Sequence, residues 1–234
     1  MADKNFVRSM FNNIAPTYDK LNHILSLNID KIWRNKAVNR ICKNLRNSES
    51  HVLDVACGTA DSSIALAKAG IPFVTGVDIS EGMIKVGEEK IKSLNLNNIN
   101  LKVEDCENLS FEDNSFDSAF IAFGIRNFED KKKGLNELRR VLKNNGHLLI
   151  LELSVPQNKI LLSLYKLYFL HILPFIGKKI SGDSKAYTYL PNSVMNFPKP
   201  KEFMAIMEEC GFKNVKQKAL TFGLCRIYEG FVIS

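Results

Sequence analysis

The chain has 234 residues, enough for one good-sized α/β domain and short for two, with 45% apolar and 24% charged residues, an ordinary globular balance. Its net charge of +7 suits nucleic acid or an anionic lipid surface, but the lysines are spread out and no run of like charges forms a nucleic-acid arm. The five cysteines, Cys42, Cys57, Cys106, Cys210 and Cys225, are scattered and odd in number, with no C-x-x-C pair, which favours free thiols in a reducing compartment over disulfides or a metal site.

In chain order, the start Met-Ala-Asp-Lys-Asn lacks the basic-then-apolar order of a signal peptide, so a cytoplasmic location is expected. Residues 6–45 read as helical, and Ile32, Trp33, Ala37, Ile41 and Leu45 recur at a spacing that lays one face on a core. His51–Ala56 reads as a strand, Ser62–Ala69 as a helix stopped by Gly70, and Phe73–Val77 as a second strand. A helix from Glu81 to Leu94 follows, with Ser80 as its N-cap, then a third strand at Ile99–Val103 and a fourth at Phe116–Phe123. Lys131–Leu142 is a predicted helix, Asn144-Asn145-Gly146 a turn, and His147–Leu153 a fifth, nearly all-apolar strand. Strands alternating with helices imply a mostly parallel sheet covered on both faces. After Pro156 the rhythm changes: Ile160–Ile176 is strongly apolar, but Lys166, His171 and Pro174 interrupt it too often for a membrane span. Glu202–Cys210 reads as a helix, and Phe212–Lys218 with Arg226–Ile233 as a closing strand pair.

Three stretches at successive strand ends carry chemistry. Leu53-Asp54-Val55-Ala56-Cys57-Gly58-Thr59-Ala60-Asp61 runs from a strand through a small-residue loop into a helix, where backbone amides can approach a ligand closely. Asp78, in Gly76-Val77-Asp78-Ile79, is placed to accept from the ribose hydroxyls of a nucleoside. Asp105, in Glu104-Asp105-Cys106-Glu107, follows the third strand near where an adenine would lie. Each alone reads equally as a helix cap or a turn; all three in this order point to a bound nucleoside. A dinucleotide site also wants an acid after the second strand, but it demands G-x-G-x-x-G, and Gly58 is the only glycine between Ala56 and Asp61.

These stretches resemble the ubiquinone/menaquinone-biosynthesis C-methyltransferase family. The likeness runs through Met10–Asp19, Leu21-Asn22-His23, Leu25-Ser26-Leu27, Leu53–Asp61, Phe123-Gly124-Ile125-Arg126-Asn127 with Asp130-Lys131, and Leu149–Glu152. It continues through Gly182-Asp183, Tyr187, Tyr189-Leu190 and Cys210-Gly211-Phe212, covering nearly the whole chain. The resemblance implies a single Rossmann-like domain over residues 1–234, with a seven-stranded sheet and an antiparallel C-terminal strand. Residues 1–45 would form a helical lid and 157–200 an insertion facing substrate and lipid. The implied activity is S-adenosylmethionine-dependent methylation of a ring carbon on a polyprenylated quinol, demethylmenaquinol to menaquinol, with S-adenosylhomocysteine as product. The resemblance also leaves peripheral contact with the inner face of the membrane and a homodimer as associations to test, with no nucleic-acid partner expected.

Carried over by position, Thr59, Asp78, Asp105 and Cys106 would contact the cofactor, with Asp54, Gly58, Ile79 and Ala122 beside them. The chain departs from the family pattern at Cys57 and Ala60, where glycine is usual, and at Ala122, where serine is frequent. If position 60 needs positive φ, alanine there costs about 1 kcal/mol. A carbon nucleophile needs its quinol oxygen deprotonated, so Arg126 is assigned to polarising that oxygen or a water, with simple pairing to a neighbouring acid as the alternative, and Asn127 to orientation. Tyr18, Asp19 and His23 would form a lid near the methyl group, with His23 ranked below Arg126 as a base. Tyr187 and Tyr189 would line the ring pocket or belong to the core. Residues 160–176 would bury a prenyl tail or meet the bilayer, with Lys166, His171, Lys178 and Lys179 at the headgroups, or else form an ordinary buried helix. Three other readings stay open: an O- or N-methyltransferase of small molecules, an RNA methyltransferase, and a non-catalytic cofactor-binding module. An Asp/Asn-Pro-Pro-aromatic segment, common in base-amine enzymes, is replaced here by Ala122-Phe123-Gly124-Ile125.

Overall fold

The computed structural model describes residues 3–45, 49–167 and 184–233. Three helices lead the chain: α1 (Lys4–Ile14), α2 (Tyr18–Leu25) and α3 (Ile29–Asn44). The helical stretch expected over 6–45 is thus broken twice. Pro16, which has no backbone N–H to donate, sits in a 3-10 turn at Ala15–Thr17. Leu27 and Asn28 then adopt positive φ of 52° and 59°, which no α-helix accommodates. On α3 the buried stripe is Trp33, Ala37, Val38 and Ile41. Ile32, expected on that stripe, is 54% exposed because it lies one position off the i, i+4, i+8 row that starts at Trp33.

The sheet elements follow: β1 (His51–Val55), α4 (Asp61–Lys68), β2 (Phe73–Asp78), α5 (Glu81–Ser93), β3 (Ile99–Val103), β4 (Phe116–Ala122), α6 (Lys131–Val141) and β5 (Leu142–Leu153). After them come α7 (Lys159–Leu167), α8 (Ser184–Met195), α9 (Pro200–Glu209), β6 (Lys213–Leu220) and β7 (Cys225–Phe231). The sheet has seven strands in the order β3-β2-β1-β4-β5-β7-β6, and β7 alone runs against the rest. Chain direction across the sheet reverses between β1 and β4, so a crevice opens at their carboxyl ends. Along β5, Leu148 and Ile150 face Leu135, Leu138 and Phe203, while Leu149 and Leu151 face Trp33, Ala37 and Leu66. That alternation, apolar on both sides, is why the strand reads as an unbroken apolar run. The Asn144-Asn145-Gly146 turn is instead a bulge inside β5: Asn145 takes φ 64°, and the register to β4 shifts between Phe116 and Ser118. Exposed Lys213, Lys216 and Lys218 mark β6 as a charged, self-protecting edge. Among the described residues no helix is long and apolar enough to cross a membrane.

Candidate active site

The β1–α4 loop takes a left-handed conformation at three residues, Ala56 (φ 53°), Gly58 (φ 54°) and Ala60 (φ 66°). Position 60 does require positive φ, so this chain carries the strain of an alanine there. The loop is pinned from β2: the Cys57 N–H donates to the Val77 carbonyl at 3.0 Å, and the Gly58 N–H to Asp78 Oδ2 at 2.9 Å. Asp78 Oδ1 accepts from the Ser80 N–H at 2.9 Å, and Ser80, the predicted N-cap of α5, accepts from the Met83 N–H. A carboxylate offers roughly four acceptor positions, so the buried Asp78 keeps capacity beyond the amides of Gly58, Ser80 and Ile79 that face it. Burial pushes its carboxyl above its ordinary value, against the pull of the amides of Ser80, Gly58 and Ile79.

The N-terminal helices close over these strand ends. Asn12 Oδ1 accepts from both Ser80 Oγ (2.7 Å) and the Gly82 N–H (2.9 Å), clamping α1 onto the start of α5. A Cβ at Gly82 would stand 3.2 Å from Asn12 atoms, so a side chain there would crowd this approach. Met10, Ile14, Ala15 and Leu21 bury themselves against Met83.

Beneath this cover lie two cavities with a common wall of Tyr18, Ala56, Gly58, Ala122 and Phe123. The smaller encloses about 670 Å³ of empty space, part of it open to solvent, and is lined by Asp78, Ile79, Asp105, Cys106 and Asn127. Lys4 reaches into it, donating to Asp105 (2.7 Å) and Glu107 (3.1 Å). Burial drives the Cys106 thiol far above its usual value, so it is a neutral wall group. The larger, about 1690 Å³ with its open mouth, has an apolar flank of Trp33, Phe123, Leu161, Tyr165 and Phe222. Its polar end holds His23, Asp30, Arg34, Asp61 and Arg126.

Arg126 and Asn127 part company at this wall. Asn127 faces the smaller cavity and accepts from the Tyr189 hydroxyl at 3.0 Å. Tyr189, expected in the ring pocket or the core, lines neither cavity and holds Asn127 through that hydrogen bond. Arg126 faces the larger cavity and donates to Glu152 Oε1 at 2.8 Å, to the Phe123 carbonyl and to Ser193 Oγ. Burial works against its charge, but the Glu152 carboxylate outweighs that and holds the guanidinium above its ordinary value. Burial raises the Tyr18 phenol, with Arg126 opposing. His23 is carboxylate-bound, with Nδ1 3.0 Å from Asp30 and Nε2 3.5 Å from Asp61. Thr59, expected beside the cofactor, lines the larger cavity and donates to Asp19. His171, Lys178, Lys179, Gly182 and Asp183 lie outside the described residues, as do the side chains of Lys166 and Tyr187.

Asp54 is the misplaced expectation. On β1 its side chain shares a face with Val52, not with the crevice, and it lines neither cavity. Oδ2 accepts from Ser63 Oγ at 2.6 Å and Oδ1 has no partner among the described residues. Burial pushes the carboxyl up to about 7. A folded-state value above the ordinary one means that the native protein holds this proton more tightly. The stabilisation is complete below about pH 4 and is lost as pH rises through about 7. Urea midpoints measured at about pH 5 and about pH 8 should therefore fall more for the wild type than for Asp54→Asn. Equal changes would show that Asp54 is not protonated in the fold.

Glu152, Arg34, Asp30 and Lys4 had no role assigned from the sequence. Glu152 did leave a signal, as the single charge at the end of an otherwise apolar strand, where an unpaired carboxylate would be untenable.

An open sheet with acids at the ends of β2 and β3, and a divided cavity over the switch point, is the Rossmann-like arrangement expected of a nucleoside-dependent methyltransferase. An S-adenosylmethionine-dependent methyltransferase from Aquifex aeolicus shares the fold, with a TM-score of 0.59 at 19% identity, over 84% of this chain and 89% of that one. A demethylmenaquinone methyltransferase of Bacteroides fragilis is 46% identical over 224 residues, 95% of this chain and 90% of the relative. A ubiquinone/menaquinone biosynthesis C-methyltransferase of Geobacter sulfurreducens is 44% identical over 228 residues, 96% and 87% of the two chains. The profile of the ubiE/COQ5 methyltransferase family matches residues 1–232, and the chain belongs to that family.

Proposed function

We propose that this methyltransferase converts a polyprenylated demethylquinol, demethylmenaquinol first among the candidates, to its C-methylated product with S-adenosylmethionine as donor. The observation that carries the reading is the shared wall: a small acid-lined cavity meets a large apolar one, with the buried Arg126–Glu152 pair beside the junction. The residues present fit the donor. Asp78 has acceptor capacity left for a vicinal diol, and Asp105, Cys106 and Ile79 form walls for a base. When bound, S-adenosylmethionine supplies an electrophilic methyl group on a sulfonium sulfur.

The protein's own part is alignment and charge. Arg126, kept cationic by Glu152, stabilises a quinol oxygen as its anion, so electron density reaches the ring carbon next to it. Tyr18 stands at the junction, and its raised phenol keeps it a hydrogen-bond donor. Asn127, fixed by Tyr189, orients from the smaller cavity. Residues 1–45 act as the lid and 157–200 receive substrate and lipid.

The apolar flank of the larger cavity suits a prenyl chain, and its rim faces lipid. Leu27 and Phe222 both line this cavity, are 79% and 82% exposed, and hold positive φ. Large apolar side chains gathered at a mouth mark a contact surface. With a net charge of +7, the chain should bind anionic vesicles at low salt, and Leu27→Asp with Phe222→Asp should weaken that binding severalfold. Equal vesicle binding by this double variant would remove the rim from the lipid contact.

The deciding experiment incubates the protein with methyl-labelled donor and demethylated naphthoquinol or benzoquinol lipids. The expected result is C-methylated quinol. Label found only on oxygen or nitrogen, or only on RNA, would overturn the reading.

A further inference from the structure

The smaller cavity provides for a nucleoside, but the donor also carries an amino-acid tail with a carboxylate and an ammonium group. Gly58 borders both cavities and Thr59 the larger one, so a ligand seated at Asp78 has its continuation over this loop into the polar end of the larger cavity. Arg34 stands there. Projecting from α3, its Nε donates to Ser62 Oγ at 3.2 Å, while Nη1 lies 3.4 Å from Asp30 Oδ2 and 3.7 Å from Asp61 Oδ2. Among the described residues Nη2 has no acceptor. Charge-assisted bonds to carboxylates ordinarily close to about 2.7–2.9 Å, with two donors of the fork engaged together. The Arg34 guanidinium is therefore held in place without being saturated, although its side chain is only 12% exposed. A largely enclosed arginine with an open fork on a cavity wall fits a planar anion, and a carboxylate matches it in shape and charge. Asp61 on the same wall is bound through Oδ1 to Lys90, and its Oδ2 keeps only the longer contacts to His23 and Arg34. A cation and an acid side by side, neither closed on the other, are complementary to a zwitterion.

We propose that Arg34 binds the α-carboxylate of the donor's amino-acid tail and that Asp61 receives its α-ammonium. This inference rests on the donor reading above. A purely structural Arg34, tying α3 to α4, is the competing explanation, and a pair of ligands separates the two. Calorimetry on the full chain would compare S-adenosylhomocysteine with its decarboxylated analogue, which keeps the nucleoside, thioether and amine. Wild type should prefer the intact ligand by about ten- to a hundredfold, and Arg34→Met should lose that preference, with decarboxylated-ligand affinity unchanged within about twofold. Arg34→Lys should recover part of the preference, since a point charge replaces the fork. An equal fall for both ligands, or a preference that survives in Arg34→Met, overturns the proposal. Wild type that binds neither ligand would refute the donor reading itself and this inference with it.

Discussion

Arg126→Ala is expected to destabilise the protein by about 3–5 kcal/mol, because it strands the Glu152 carboxylate in an interior from which water is excluded. Glu152 is fully buried and the Arg126 side chain is 6% exposed, so solvent screening offers little relief. For a chain of this size the loss corresponds to a fall in melting temperature of roughly 10 °C. Glu152 also accepts from the backbone N–H groups of Arg126 (3.2 Å) and Leu153 (2.8 Å), so the pair fixes the turn after β4 as well as the guanidinium. That double duty makes the activity of a single variant uninformative. The double variant Arg126→Met with Glu152→Gln removes both charges and keeps an acceptor for those amides. It should recover most of the lost stability, because no ion is left uncompensated. If Arg126 stabilises the quinol oxygen, methyl transfer stays at least about a hundredfold down in this refolded variant. Transfer at wild-type rate in a double variant of native stability would make Arg126 a structural ion-pair partner and nothing more.

The sequence displayed what is local and hid what is assembled across the sheet. Asp78 and the Ala56–Asp61 loop could be placed because a strand end, a small-residue loop and a helix start are neighbours in the chain, and Ser80 because an N-cap is a local hydrogen bond. Asp54 sits in the same motif, yet its direction depends on a one-residue parity within β1, which turned it toward Ser63. Left-handed residues were legible where their chemistry announces them, or, at Ala60, where the family pattern has glycine. Asn144-Asn145-Gly146 showed that positive φ was coming but did not distinguish a bulge from a turn, and Ala56 gave no warning at all. Arg34 was invisible because nothing in the 29–44 helix reveals that α4 lies across from it. The same holds for Lys4, whose partners Asp105 and Glu107 follow β3, far away in the chain.

Asp78 supports the second large prediction. Replacing it by alanine should weaken S-adenosylhomocysteine binding by roughly ten- to a hundredfold, the effect of losing a charged acceptor worth about 1.5–3 kcal/mol. The substitution also leaves the Gly58 and Ser80 amides without their acceptor, so some destabilisation of the loop is expected alongside. The two effects separate in a cycle with the 2′-deoxy form of the ligand. Wild type should bind the ribose ligand more tightly than the deoxy ligand, and Asp78→Ala should bind both with nearly equal, weak affinity. Were Asp78 only a turn-forming cap, the variant would lose affinity for both ligands by one factor and the preference for ribose would persist. Because Gly58 is the wall residue that Asp78 holds in place, the same variant should also blunt discrimination at the far side of the wall, where Arg34 faces the larger cavity. A loop released from β2 no longer sets the spacing between the acid that receives the sugar and the arginine that receives the tail.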